Sequence, residues 1–352
     1  MILGGEKQAA TKDPYSHQKN FEVMKYNIKL EKLGGDKITF DHPHELVQEY
    51  HVYGDNEYGM DWVLVFAPFK AKNNTGPKVH ASDATKYTLV RVSPTAKVVE
   101  KFTFNSPNSI WRIDQIYKSK EGRLVMFGPS NENTKDYFQN RMLYADKKFK
   151  NFQVGSFRDG QSEFISVTHI DEFEEKMKNA PDGKKGTAYK GKKFKANKMF
   201  YAPNGDLFVT GQQYNPKDGK YQDINIFHFD KQGTLKAQYA MNKKYATLTL
   251  DEQMFRFSED KKYAYWIYFD VVGEQPVKEG DLVINKPLVM PKVGKLNMSS
   301  GEFEGYLEAG EGDFYCHPFV LNFLEYTSTG SINFMGEDKK GKELWFARLP
   351  IN

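Results

Sequence analysis

A single cysteine, Cys316, stands in 352 residues, so no disulfide forms within this chain and no cysteine-rich zinc site is available to it. No stretch approaches the roughly 18 consecutive apolar residues of a membrane-spanning helix. An excess of one charge is lacking too: 50 basic residues face 46 acidic ones, a net charge of +4. Signs mixed this evenly do not build the field that steers a whole molecule onto a polyanion, so nucleic acid is not an expected partner. The Gly-x-Ser-x-Gly elbow, the phosphate loop and the dinucleotide fingerprint are all missing, and with them any motif that announces a chemistry. The first residues show no basic region followed by an apolar core, so no signal peptide is read there.

What is present is aromatic and alternating. Phe and Tyr number 27 and 21, and such residues favour pleated, half-buried surfaces. A hairpin of two alternating strands recurs five times, at residues 26–30 with 37–40, 87–92 with 99–104, 142–144 with 149–154, 224–229 with 235–239, and 295–298 with 303–307. A last strand at 343–349 has no partner after it. Between these hairpins lies a second set, 113–117 with 123–127, 199–202 with 206–210 and 254–258 with 263–268, with looser versions at 47–69 and 319–335. Their turns carry Glu121-Gly122, Asn204-Gly205 and Asp260-Lys261, and glycine suits such turns because it enters positive φ without steric cost.

Two hairpins in succession make a four-stranded antiparallel unit, and its repetition points to radially repeated β-structure. The segments Phe200-Tyr-Ala-Pro-Asn-Gly-Asp-Leu-Phe-Val209 and Phe255-Arg-Phe-Ser-Glu-Asp-Lys-Lys-Tyr-Ala-Tyr-Trp266 carry the likeness furthest. They resemble the Phe-Ser-Pro-Asp-Gly-Lys turn of TolB-like and related β-propellers, while WD40, Kelch and Asp-box signatures are absent. The resemblance implies an all-β propeller of five or six four-stranded blades. After a polar tail over 1–20, residues 21–352 are expected to form one domain. Ring closure is expected from the N-terminal strands, with Tyr26, Ile28 and Leu30, or Ile38 and Phe40, pairing with 344–349 and so removing two open edges.

One segment breaks the rhythm, at 156–198. Within it 171–179 reads as the one short helix, with Asp171 as N-cap and Phe173 and Met177 on one face. A lysine run follows, in which Lys184, Lys185, Lys190, Lys192, Lys193 and Lys195 surround Tyr189 and Phe194. Insertions in repeat proteins fall in loops, often on the binding face. The segment is expected to form a partner-facing surface that contributes little to packing, its lysines meeting an acidic protein.

The remaining constellations read as structural. His42-Pro43-His44 with His51 has imidazoles but no acidic or thiolate partner at ligand spacing, and Cys316-His317 places its side chains on opposite strand faces. Residues 215–223 have oxygen ligands and a glycine but not the carboxylate spacing of a calcium loop. No metal and no cofactor are expected. The leading expectation is a non-enzymatic interaction module. The rival is a carbohydrate-binding or hydrolytic propeller with a site at the central channel, using Asp114, Glu252, Arg256 and His317 with Trp111 and Phe255 stacking on sugar rings. The Lys-, Asn-, Tyr- and Phe-rich style is similar to exported propellers of the Bacteroidota. That similarity implies a periplasmic or exported protein bound to a larger envelope complex, such as the plug-like subunit of the type 9 secretion translocon.

Overall fold

The computed structural model describes residues 2–5, 19–53, 60–68, 85–119, 122–132, 148–243, 246–248, 250–280, 282–308, 314–316, 331–338, 340 and 342–351. Among the described residues the chain is all-β apart from one short helix, and its strands pair with chain neighbours to form antiparallel sheets. Contacts divide it into two compact units, Met1–Ile170 and Asp171–Asn352.

In the first unit, β1 (Ile2–Gly5), β2 (Asn20–Tyr26) and β3 (Lys32–Thr39) form a three-stranded sheet. A four-stranded sheet follows, of β4 (His44–Tyr53), β5 (Met60–Pro68), β6 (Lys86–Val92) and β7 (Val98–Asn105). In the third sheet β8 (Ile110–Trp111) and β9 (Gln115–Lys118) both pair with β10 (Leu124–Asn131) and act as one interrupted edge strand. The sheet is completed by β11 (Asn151–Arg158) and β12 (Gln161–His169).

Alternation explains how these sheets stack. Successive strand side chains point to opposite faces, and β5 is apolar on both. Trp62, Leu64 and Phe66 pack with Val23, Ile38 and Phe40 of the β1–β3 side. Val63, Val65 and Ala67 pack the other way, with Trp111, Ile113, Met126 and Phe157. The strand is sealed because it is sandwiched. At the far edge β7 alternates between exposed and partly buried residues, as a strand with one wet face must.

The second unit repeats the scheme. After α1 (Ile170–Glu175) come β13 (Phe194–Tyr201), β14 (Leu207–Asn215), β15 (Lys220–Phe229) and β16 (Leu235–Met241), paired in that order. Next are β17 (Gln253–Phe257), β18 (Tyr263–Glu279), β19 (Leu282–Asn297) and β20 (Phe303–Glu308), then β21 (Phe314–Cys316), β22 (Ser331–Asp338) and β23 (Leu344–Pro350). Phe208, Ile224, Ile226 and Tyr239 pack against Phe255, Trp266, Tyr268 and Leu296. The opposite face of β18 and β19, through Tyr265, Ile267 and Val293, packs on Ile332 and Phe334. The pairing of β18 with β19 runs on to Glu279 and Leu282, beyond the expected end at residue 268, and leaves Leu282 and Val283 exposed near the tip.

Four connections share one turn. In Ser93 to Lys97, Ser119 to Arg123, Ala202 to Asp206 and Asp230 to Thr234, the first residue's N–H bonds the fifth residue's C=O, while its own C=O accepts from the fourth residue's N–H. The fourth residue must then sit at positive φ. Gly122, Gly205 and Gly233 do so at 79°, 92° and 77°, and Ala96 does so at 60° despite its Cβ.

Five expectations are corrected. Ile2–Gly5, assigned to a polar tail, is a strand paired with β2. Closure through residues 26–40 is not made in the described pairing: β2 has β1 and β3 on its two sides, and β23 pairs with β22. Residues 27–31 are the β2–β3 turn, with Ile28 100% and Leu30 79% exposed, so they have no strand to offer. The break in rhythm does not begin at 156, because β11 turns at Asp159-Gly160, with φ of 50° and 74°, into β12. The hairpin 142–144 with 149–154 is thereby replaced, its first strand lying outside the described residues. What departs from the sheets is 170–193, and its helix is shorter than the expected 171–179. Residues 319–330 also lie outside the described residues.

Candidate partner-binding site

Residues 170–195, from α1 to the start of β13, form a strap laid on the β13–β16 sheet. Its backbone closes the free edge of β16: Lys178 N–H bonds Gln238 C=O at 2.9 Å, Gln238 N–H bonds Lys176 C=O at 3.0 Å, and Gly186 N–H bonds Ala240 C=O at 3.0 Å. A Cβ on Gly186 would stand 2.5 Å from that Ala240 oxygen, so only glycine permits the approach.

The strap's aromatic side chains point inward. Phe173 lies 4.8 Å from the ring of Phe227 on β15, Tyr189 lies 5.3 Å and Phe194 4.7 Å from it, and Phe173 and Phe194 each lie 5.4 Å from Tyr189. Tilted and edge-on pairs at these distances add to the stabilisation from area burial. Tyr189 N–H also donates to Gln238 Oε1 at 3.3 Å, and Gln238 Nε2 donates to Asn225 Oδ1 at 3.0 Å.

The predicted site residues are therefore divided. Tyr189 and Phe194 are 5% exposed and anchor the strap, so they form no part of an outer face. Lys184, Lys185, Lys190, Lys192, Lys193 and Lys195 are all exposed. Lys190 Nζ reaches Glu174 at 3.9 Å with both side chains largely in water, where a pair contributes little. Lys193 C=O accepts from Tyr214 N–H at 2.7 Å, and Lys195 Nζ stands 5.7 Å from the Tyr214 ring centroid. The expectation that the segment contributes little to packing is overturned by its aromatic layer. Phe227 and Gln238 were missed because their roles exist only once the strap lies on them.

Beneath this surface the second unit holds buried ions. His228, fully buried, donates from Nε2 to Asp206 Oδ2 at 2.8 Å, and Lys236 Nζ meets the same oxygen at 3.0 Å. Burial pushes the His228 imidazole below its ordinary value, against the pull of the Asp206 hydrogen bond. Burial alone would push Asp206 up, but the His228 and Lys236 hydrogen bonds outweigh it and hold the carboxyl down. Farther along, Asp251 is paired with Lys243 and bonded by Gln212 Nε2 at 3.1 Å, and its backbone N–H donates to Gln212 Oε1 at 2.6 Å. Burial wins there and raises Asp251, as it raises Asp223.

The residues proposed for a channel site each have local surroundings of their own. Trp111 and Phe255 are core residues, 0% and 2% exposed, and have no free face for a sugar. Asp114 is held by Arg112 at 2.7 Å, Glu252 by Lys198 at 2.7 Å, and Arg256 Nη1 donates to Phe255 C=O at 3.3 Å. His44 is buried against Phe40 at 3.9 Å, and His51 stacks on Trp62 at 5.9 Å. Cys316 lies in β21, and His317 is outside the described residues. Among the described residues no group of three or more metal-ligating side chains is gathered, and no helix is long and apolar enough to cross a membrane.

No protein-family model matches the sequence, and no curated protein matches it either. Among solved structures, a variant of the Synechocystis apocarotenoid oxygenase is similar at 12% identity and a TM-score of 0.34, over 95% of this chain and 65% of that one. The β-propeller domain of the Trilobed protease from Pyrococcus furiosus is similar at 10% identity and a TM-score of 0.34, over 85% and 68%. A protein of unknown function from Bacteroides caccae gives 8% identity and 0.26, over 74% and 89%. At such scores the likenesses carry no argument about activity. The chain itself resembles a β-propeller in its run of antiparallel four-stranded sheets, and no subfamily follows.

Proposed function

We propose that this chain is a non-catalytic, propeller-type scaffold whose partner protein docks on the lysines of the strap. One observation carries the reading: the strap is fixed from within by Phe173, Tyr189 and Phe194 on Phe227, while its six lysines remain exposed. Charges held on a rigid base bind with a smaller ordering cost than charges on a loose loop, and they set encounter rate and partner choice. In this reading the four-stranded sheets are blades of a five- or six-bladed ring. The sequence style supports an exported setting, and the chain then serves as a periplasmic accessory subunit of an envelope assembly such as the type 9 secretion translocon.

The test is capture from the envelope fraction of the source cell, with partners identified by mass spectrometry. A variant carrying Lys190→Glu, Lys192→Glu, Lys193→Glu and Lys195→Glu should keep its melting temperature and lose a partner that the unaltered protein retains at low salt and releases at high salt. Undiminished capture by that variant would sink the reading.

A further inference from the structure

The β14–β15 turn breaks the burial rule of its own sheet. The pairing register shifts between Gln212 and Tyr214, setting Tyr214 opposite Tyr221. Their ring centroids are 5.1 Å apart at 46°, and both residues are only half-buried. Both are clamped through the backbone: Tyr214 by Lys193 at 2.7 Å, and Tyr221 by a pair of hydrogen bonds with Thr247 at 2.7 and 3.0 Å. Four exposed lysines accompany the pair. Lys193 is the residue that clamps Tyr214, Lys195 lies over its ring, Lys217 is in the turn, and Lys220 pairs opposite Asn215. None of the four makes an ion pair with a described residue, in contrast to Lys190 with Glu174 and Lys198 with Glu252.

We infer that Tyr214 and Tyr221, with Lys193, Lys195, Lys217 and Lys220, form a seat for an acidic peptide segment that also carries an aromatic side chain. This deepens, and rests on, the proposal that a partner protein docks on the strap. The lysines supply cations that make no ion pair with a described residue, and carboxylates are their complement. The tyrosine pair supplies two ring faces held at a fixed angle, which an incoming ring meets without ordering cost. A nucleic-acid strand suits the surface less well. A polyphosphate is gripped along a continuous basic track, whereas Asp218 sits inside this turn and Asp223 lies just beyond it on β15.

Fluorescence anisotropy tests this with a short fluorescein-labelled peptide of Asp and Glu bearing one central Phe. The full chain should bind it. Lys217→Gln with Lys220→Gln should weaken binding at least about tenfold, as should Tyr214→Ala with Tyr221→Ala, while Tyr214→Phe with Tyr221→Phe should retain it. Replacing the peptide's Phe by Ala should weaken binding to the unaltered chain and change nothing in the Tyr→Ala variant. If that variant does not fold, the lysine and Tyr→Phe variants decide. Absence of binding, equal binding by the lysine variant, or tighter binding of a thymidine oligonucleotide overturns the inference. Native capture that survives Lys217→Gln with Lys220→Gln but is lost in the four-lysine strap variant keeps the strap reading and removes this one.

Discussion

β12 and β16 each end a sheet, one in each unit, and they meet their surroundings differently. Exposed and partly buried residues dominate β12, whereas every residue of β16 but one is buried. The difference lies in what the chain does next to each strand. The strap occupies the edge of β16 and lays an aromatic layer over Phe227, which converts an outer strand into an inner one. Both units also bury polar side chains. In the first unit Gln153 Nε2 donates to Ser106 Oγ at 3.0 Å and Asn108 Nδ2 to Ser130 Oγ at 2.7 Å, and the buried Asp61 is met by Arg91 at 2.9 Å and by Lys118 at 3.8 Å. In the second the buried ions lie around Asp206 and Asp251. In both units the buried carboxylates are met by cations and hydrogen bonds that compensate desolvation. The lesson is that an outer strand becomes part of a core only when another segment supplies both backbone partners and apolar cover.

The largest effect is expected at the aromatic layer. Phe173→Ala should lower unfolding stability by about 3–5 kcal/mol, read from urea denaturation. Val167→Ala, on exposed β12, should change it by no more than about 0.5 kcal/mol. Equal losses would erase the distinction between the two strands.

A smaller effect is expected at the buried His228 of the second unit. His228 has its pKa lowered in the folded chain from an unfolded value near 6.5. The unfolded chain therefore binds the extra proton first, and this contribution to stability, fully present above about pH 6.5, declines as pH falls below it. Lowered Asp206 adds a loss at lower pH, below its ordinary value of 3.8. The urea midpoint should drop between pH 7.5 and 5, and His228→Gln should flatten that drop. A slope unchanged in the variant would place the acid sensitivity elsewhere.

The smallest effect concerns the shared turn. Gly122 and Gly205 occupy positive φ where Ala96 stands in the β6–β7 turn. Ala96→Gly should relieve strain of about 1 kcal/mol, partly offset by the entropy of a freer unfolded chain. A loss of stability on calorimetry would show that the Ala96 methyl, buried beside Val90 and Val92, outweighs its backbone cost.

The hairpins at 87–104, 199–210, 224–239 and 254–268 were legible because alternation and turn residues are local signals. The β11–β12 hairpin carried an equally local signal, Asp159-Gly160, but was absorbed into a supposed insertion by the lysines that follow. The candidate site was half legible. A run of lysines marks a surface, but nothing local distinguishes Tyr189 and Phe194, which are buried, from Tyr214 and Tyr221, which are half-buried.

Sequence alone determined the all-β class, the antiparallel pairing of neighbouring segments and the positions that need positive φ, since each depends on side-chain period and on steric limits within a few residues. Tertiary structure alone decided which strand edges are covered, which aromatic rings face Phe227 and which ions are buried together. Those outcomes depend on surfaces brought together from distant parts of the chain, and the free energy of burial belongs to the pair of surfaces that meet.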